Sequence, residues 1–201
     1  MKNNLWGTES FDLKPIHVVL FCSRNKDNKH IEGFKERRKS FITHKTPMEL
    51  EEEFTNFIMD GNPSEMCRMY YSVNARDPQK IYQKLLHFLI DNPNFNLCSM
   101  MPKLAGIAAQ KECAAEKKWM FDFDIDDEKK ADEFVRDIAR LVKPQPDDPV
   151  TTTKWRTPHG YAIVVDHGFD TRELMKKWDK DVTLKRDDLL CIDWGSVYKR
   201  R

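Results

Sequence analysis

Apolar and polar positions alternate along this chain in two periods. IHVVLFC (16–22) is a short apolar run broken only by His17, the pattern of a buried strand. Thr46-Pro47-Met48-Glu49 has the form of a capping box with proline at the first helical position, and Leu50, Phe54, Phe57 and Ile58 then recur at helical spacing up to Gly61. CRMYYSVNA (67–75) reads as a strand. Asp77-Pro78 opens a second helix with the stripe Ile81, Leu85, Phe88 and Leu89, stopped by Asn92-Pro93. An alanine-rich helix is expected from Pro102 to Lys117.

The second half repeats the two periods in a tighter order. KWMFDFDIDDE (118–128) alternates as a strand, and DDEKKADEFVRDIARLV (126–142) is a helix with Phe134, Ile138 and Leu141 on its core face. PQPDDP (144–149) breaks it. TTTKWRT (151–157) and GYAIVVD (160–166) are strands joined by a Pro158-His159 turn, a helix covers 171–178, and LLCIDW (189–194) is a last strand. The order β-α-β-β-α-β predicts an α+β class: a mainly antiparallel, RRM-like sheet over about 116–201, with helices on one face and the other face open for a ligand. Residues 1–115 then form a smaller N-terminal αβ portion with a basic loop, joined to the rest as one compact unit.

Charge changes this picture only locally. Lys and Arg total 34 against 33 Asp and Glu, a net charge of +1, which gives no overall attraction to nucleic acid or membrane. The strongest local bias is SRNKDNKHIEGFKERRKSFITHK (23–45), with eight basic residues against three acidic ones, read as a loop with a short strand near Ser40 to Thr43. Five widely spaced cysteines include no CxxC pair, which argues against both a disulfide framework and a zinc ribbon. MKNNLWGTESFD lacks an apolar core of signal-peptide length, and no apolar run is long enough to span a bilayer, so a soluble cytoplasmic protein with no membrane partner is expected.

Candidate chemistry begins with Asp122, Asp124 and Asp126, which alternate with apolar residues although strands are normally poor in aspartate. Two aspartates one strand period apart hold their carboxylates roughly 6–7 Å apart. Unpaired, they repel; Mg²⁺ or Mn²⁺ resolves this, because a hard dication takes carboxylate oxygens and shares its remaining shell with water and substrate phosphates. The alternative is an ordinary solvent face. Asp126 reads as a helix N-cap. Lys154 and Arg156 share one face of their strand, either as a clamp on phosphates or as a solvated strand edge. His159 is a turn residue or a ligand contact, and Asp193 is a strand-end cap or a third metal ligand.

In this order the residues resemble the three motifs of the archaeo-eukaryotic primase superfamily, in its small phage-type members: MFDFDID (120–126), TPHGYAIVV (157–165) and LLCIDW (189–194). The likeness covers about residues 115–195. It implies Asp122, Asp124 and Asp193 as ligands of a divalent metal in a nucleotidyltransferase site, and a second-motif histidine on the phosphates of the incoming nucleotide. Where that histidine would follow Gly160-Tyr161, this chain has Ala162; His159 lies three residues earlier and at the opposite strand parity.

The leading expectation is therefore a metal-dependent, primase-polymerase-like protein that handles nucleotides and single-stranded DNA or RNA, with its chemistry intact, altered or lost. In it, Asp122 and Asp124 hold the metal while Lys154 and Arg156 offset triphosphate charge. A second expectation is a non-catalytic phage factor that engages nucleic acid or a host or phage replication protein through the basic 24–45 segment with Tyr70, Tyr71 and Trp155. A haloacid-dehalogenase-type phosphatase is disfavoured, because Asp126 stands where that motif carries Thr or Ser.

Overall fold

The apolar run near the start folds as strand β1 (His17–Ser23), and the basic segment that follows returns as β2 (Arg37–Thr43) paired antiparallel to it. The structure, a computed structural model, describes residues 15–141 and 149–197 and the backbone of 199–200. The PQPDDP break lies almost wholly outside the described residues.

The capping box forms as the spacing requires. The Thr46 amide and hydroxyl donate to Glu49 Oε2 at 2.7 and 2.9 Å, and a 3₁₀ turn (Met48–Leu50) leads into α1 (Glu51–Met59). β3 (Cys67–Ser72) follows, then α2 (Pro78–Asp91), whose cap Asp77 accepts from the amides of Gln79 and Lys80. The alanine-rich helix α3 (Met100–Ala108) is shorter than expected. A 3₁₀ turn at Lys111–Cys113 and extended backbone replace its end, because Ala114 bridges to Arg76 and the Ala115 amide donates to Ala75 O at 2.8 Å.

The remaining elements are β4 (Trp119–Phe123), α4 (Glu128–Leu141), β5 (Thr152–Thr157), β6 (Gly160–Val165), α5 (Arg172–Trp178), β7 (Val182–Lys185), β8 (Leu189–Ser196) and β9 (Lys199–Arg200). They build two antiparallel sheets, β2-β1-β3-β8-β9 and β5-β6-β4-β7. The fold is α+β, and the second sheet is the expected β-α-β-β-α-β unit with one change. Its last strand is β7, unforeseen from sequence, while LLCIDW (β8) crosses to the first sheet and pairs with β3. The division at residue 115/116 therefore does not separate two sheets: the last strands of the chain belong to the first one.

Each sheet carries helices on its outer face. Val19, Phe21, Cys67 and Met69 pack on Leu50, Phe54, Phe57 and Ile58 of the α1 region. On the second sheet, Phe121, Phe123, Ile163 and Val165 pack on Phe134 and Ile138 of α4 and on Leu174 and Trp178 of α5. The second sheet's inner face meets the first sheet along β8, at Met120, Ala162 and Leu190, with Val73, Val164 and Ile192 around them. Part of the first sheet's inner face is covered instead by α2 and α3, through Val18, Ile81, Ala105 and Ile107.

Candidate functional site

Strand parity decides which side chains enter the space between the sheets. On β4, Phe121 and Phe123 point to the helices, so Met120 and Asp122 point inward. Asp122 is opposite Ala162, which is opposite Trp155, so these three share the inner face. On the facing sheet, Leu20, Cys22, Arg68 and Tyr70 point the same way, because Phe21 and Met69 are committed to α1.

The result is a cleft of about 460 Å³ whose two walls differ in charge. One wall carries Asp122 and Asp124, with Lys185 and Asp188 beside them; the other carries Arg24, Lys26, Arg38 and Arg68. Lys185 Nζ lies 2.9 Å from Asp122 Oδ2 and 3.2 Å from Asp188 Oδ2. Burial alone would lower the Lys185 ammonium, but its bonds and charge contacts with Asp122 and Asp188 outweigh that and raise it above the ordinary lysine value.

Within the basic wall Arg24 and Arg68 are held in place, while Lys26 and Arg38 are exposed, Arg38 pairing with Glu36 at 3.1 Å. Buried Asn28 donates to Ser23 Oγ and to the carbonyls of Arg24 and Met66, and accepts from the Met66 amide at 2.6 Å, which pins the loop after β1. Arg24 Nε donates to Asp27 Oδ2 at 2.9 Å and Arg68 Nη2 to Asp27 Oδ1 at 2.6 Å. Burial pushes the Asp27 carboxyl up, but these two guanidinium groups hold it below its ordinary value. Arg68 is 5% exposed, and its Nε has no hydrogen-bond partner among the described residues.

His159 joins the walls. Its turn is held against β4 by Gly160, where an added Cβ would stand 2.1 Å from Phe123 O, so only glycine permits this approach. Arg68 Nη2 lies 2.9 Å from His159 Nε2, and since a guanidinium only donates, Nε2 is the acceptor. Ala162 also lines the cleft, so His159 enters from the turn while the position expected to hold a histidine carries a methyl group. Cys191, in the floor, has its thiol pushed up to about 12 by burial.

No family model, curated protein or solved structure significantly matches the chain. The cleft must therefore be read from its own residues.

Asp122, Asp124 and His159 come together there, but three other expected site residues do not. Asp193 lies opposite Met69 on the α1 side, its Oδ1 accepting from the Trp194 amide at 2.8 Å. The cause is a register shift: Tyr70 is opposite Cys191 and Met69 is opposite Asp193, so Ile192 is an extra residue that turns Asp193 to the other face. Lys154 and Arg156 share the helix-covered face with Ile163 and Tyr161. There they pair with Glu128, Asp132 and Asp126 rather than reaching the cleft. Asp126 is thus taken by Arg156, and Asp127 caps α4 by accepting from the amides of Lys129 and Lys130.

Sequence reasoning missed Arg24, Lys26, Arg38, Arg68, Lys185 and Asp188 as cleft residues. The basic bias of 23–45 flagged the first three as a segment; the others carry no local mark.

Among the described residues no group of three or more His, Cys, Asp or Glu side chains is arranged to hold a metal. Asp122 and Asp124 still suit a magnesium-like ion, which needs only one or two carboxylates when phosphates and water complete its shell. The Lys185 ammonium seated at Asp122 is a stand-in cation at that spot. No described helix is long and apolar enough to cross a membrane.

Proposed function

We propose that the cleft binds a nucleoside triphosphate with Mg²⁺ or Mn²⁺, in a nucleotidyltransferase of primase-polymerase type acting on single-stranded DNA or RNA. The observation that carries this reading is the pairing of walls: carboxylates on one side and four cationic side chains on the other, around a space of about 460 Å³. Asp122 and Asp124 hold the cation, which when bound offsets charge on the phosphates and activates the attacking hydroxyl. Arg24, Lys26 and Arg38 take the phosphate oxygens, the role first expected of Lys154 and Arg156. Arg68, fixed by Asp27, presents His159 toward the same space. Apolar packing of Met120, Ala162 and Leu190 behind the cleft limits water on that side.

Titration calorimetry tests this. Binding of Mn²⁺-nucleotide that falls at least tenfold in Asp122→Asn supports it, and a primed-template extension assay then reads whether transfer occurs. Absence of both metal and metal-nucleotide binding in the unaltered protein rules the reading out.

A second reading, a non-catalytic binder of single-stranded nucleic acid, is favoured by one further feature. On the other side of the inter-sheet contact lies an apolar cleft of about 300 Å³, lined by Trp155, Val164, Leu190 and Ile192 and edged by His17 and Tyr71. The His17 and Tyr71 rings are stacked with centroids 4.4 Å apart, and Trp155 is 42% exposed, a platform on which bases can stack. Single-strand binding that weakens with salt, persists in EDTA and is lost in Trp155→Ala favours this second reading.

A further inference from the structure

We infer that Lys185 is a resident counter-cation of the cleft that makes the binding of a free divalent cation and of a triphosphate interdependent. The inference rests on the nucleotide reading above and goes beyond it to the order and coupling of binding.

Lys185 closes β7, the neighbour of β4, and its register partner there is Met120. From that position its ammonium spans Asp122 and Asp188 at 2.9 and 3.2 Å. The side chain is only 34% exposed, so the pair is partly shielded from water and salt. Asp122 is therefore not a free carboxylate. Exposed Asp124 has no ion pair or hydrogen bond among the described residues, so the two aspartates are inequivalent before anything binds.

A dication arriving alone meets a carboxylate already shared with a positive charge a few ångströms away. Either it displaces the ammonium from Asp122 or it suffers the repulsion, and both weaken its binding. A triphosphate removes the conflict. Its oxygens complete the cation's shell and offer the ammonium a new anion, which Lys185 can reach by rotating its flexible stem while keeping Asp188. The four cationic groups on the facing wall draw the triphosphate in but cannot relieve the contest at Asp122. Coupling of this kind is reciprocal: whatever the triphosphate adds to metal affinity, the metal adds to triphosphate affinity.

The test measures Mn²⁺ binding by the electron paramagnetic resonance of the free ion. The full chain, Lys185→Met and Lys185→Arg are each titrated with Mn²⁺ alone and with Mn²⁺ plus a non-hydrolysable nucleoside triphosphate. The association of Mn²⁺ with triphosphate in solution is common to all three proteins and cancels in the comparison. In the unaltered chain, Mn²⁺ alone should bind weakly and the Mn²⁺-triphosphate complex far more tightly. Lys185→Met, which keeps the stem and removes the charge, should bind Mn²⁺ alone about tenfold more tightly and lose about tenfold of the enhancement by triphosphate. Lys185→Arg should keep the coupling. If Lys185→Met matches the unaltered protein in both titrations, the inference is overturned while the nucleotide reading stands. If neither protein binds Mn²⁺ with or without triphosphate, the nucleotide reading itself fails. Should Lys185→Met not fold, as judged by circular dichroism, the unaltered chain still decides: free Mn²⁺ binding as tightly as the Mn²⁺-triphosphate complex overturns the inference.

Discussion

The four-stranded sheet carries charged residues on both faces, and the two sets have different fates. On the helix side, Lys154 and Arg156 meet Glu128, Asp132 and Asp126 at the rim of α4, where the acids are 65, 47 and 67% exposed. On the inner side, Asp122 faces a second sheet, with Arg68 and Asp27 across the cleft each only 6% exposed at the side chain. The same alternation of charge along a strand thus yields a solvated seam in one direction and an enclosed polar site in the other. The facing wall separates them: on the inner side a second set of charged groups stands across the cleft, whereas the acids of the seam open to solvent, where ion pairs contribute little.

The largest expected effect lies on the enclosed side. Asp27→Asn leaves Arg68 and Arg24 without their shared carboxylate, and breaking a buried pair this way should cost about 3–5 kcal/mol in urea unfolding. The cost should depend on pH in one direction. Because the Asp27 carboxyl is held below its ordinary value of 3.8, its stabilisation is complete above that pH and fades as the acid range is entered. The gap between variant and parent should therefore narrow below about pH 4. A gap that widens with acid would show that Asp27 is not the charged partner.

Gly160→Ala comes next. The new methyl must displace backbone at Phe123 O, so a loss of about 1–3 kcal/mol is expected, with weaker Mn²⁺-nucleotide binding because Asp124 and His159 flank the shifted segment. Asp122→Asn should leave urea unfolding within about 1 kcal/mol of the parent, since the residue is partly exposed and paired to one lysine, yet remove most of the metal-nucleotide affinity. The smallest effects belong to the seam: Lys154→Ala and Arg156→Ala should each change stability by less than about 1 kcal/mol and leave nucleotide binding unaltered. Loss of nucleotide binding in either would erase the distinction between the faces.

Much of this fold is legible from sequence because its signals are local. The Thr46–Glu49 box, the Asp77-Pro78 start and the apolar alternation of β4 and β6 each depend on residues a few positions apart. Asp122 and Asp124 stand out because acids are rare on strands. What could not be read is relational. Whether Lys154 shares a face with Asp122 depends on the β5-β6-β4 register, which puts Trp155 and not Lys154 in line with Ala162 and Asp122. The orientation of Asp193 turns on one extra residue, Ile192, in a pairing between strands more than a hundred positions apart. β7 is four residues of mixed polarity, VTLK, too short for a period to declare itself, and with it went Lys185. Arg68 sits in a stretch whose sequence reads only as a strand; the tertiary fold shows that alternate residues there face a cleft.

The crossing of β8 has a consequence for how the molecule is made. On the ribosome, β1, β2 and β3 emerge early, yet the edge of β3 stays unzipped until Leu189–Ser196 has been synthesised. A nascent chain halted before Leu189 would expose that hydrogen-bonding edge to its neighbours and lack the floor of the cleft, so the first sheet closes only once translation has passed Leu189–Ser196.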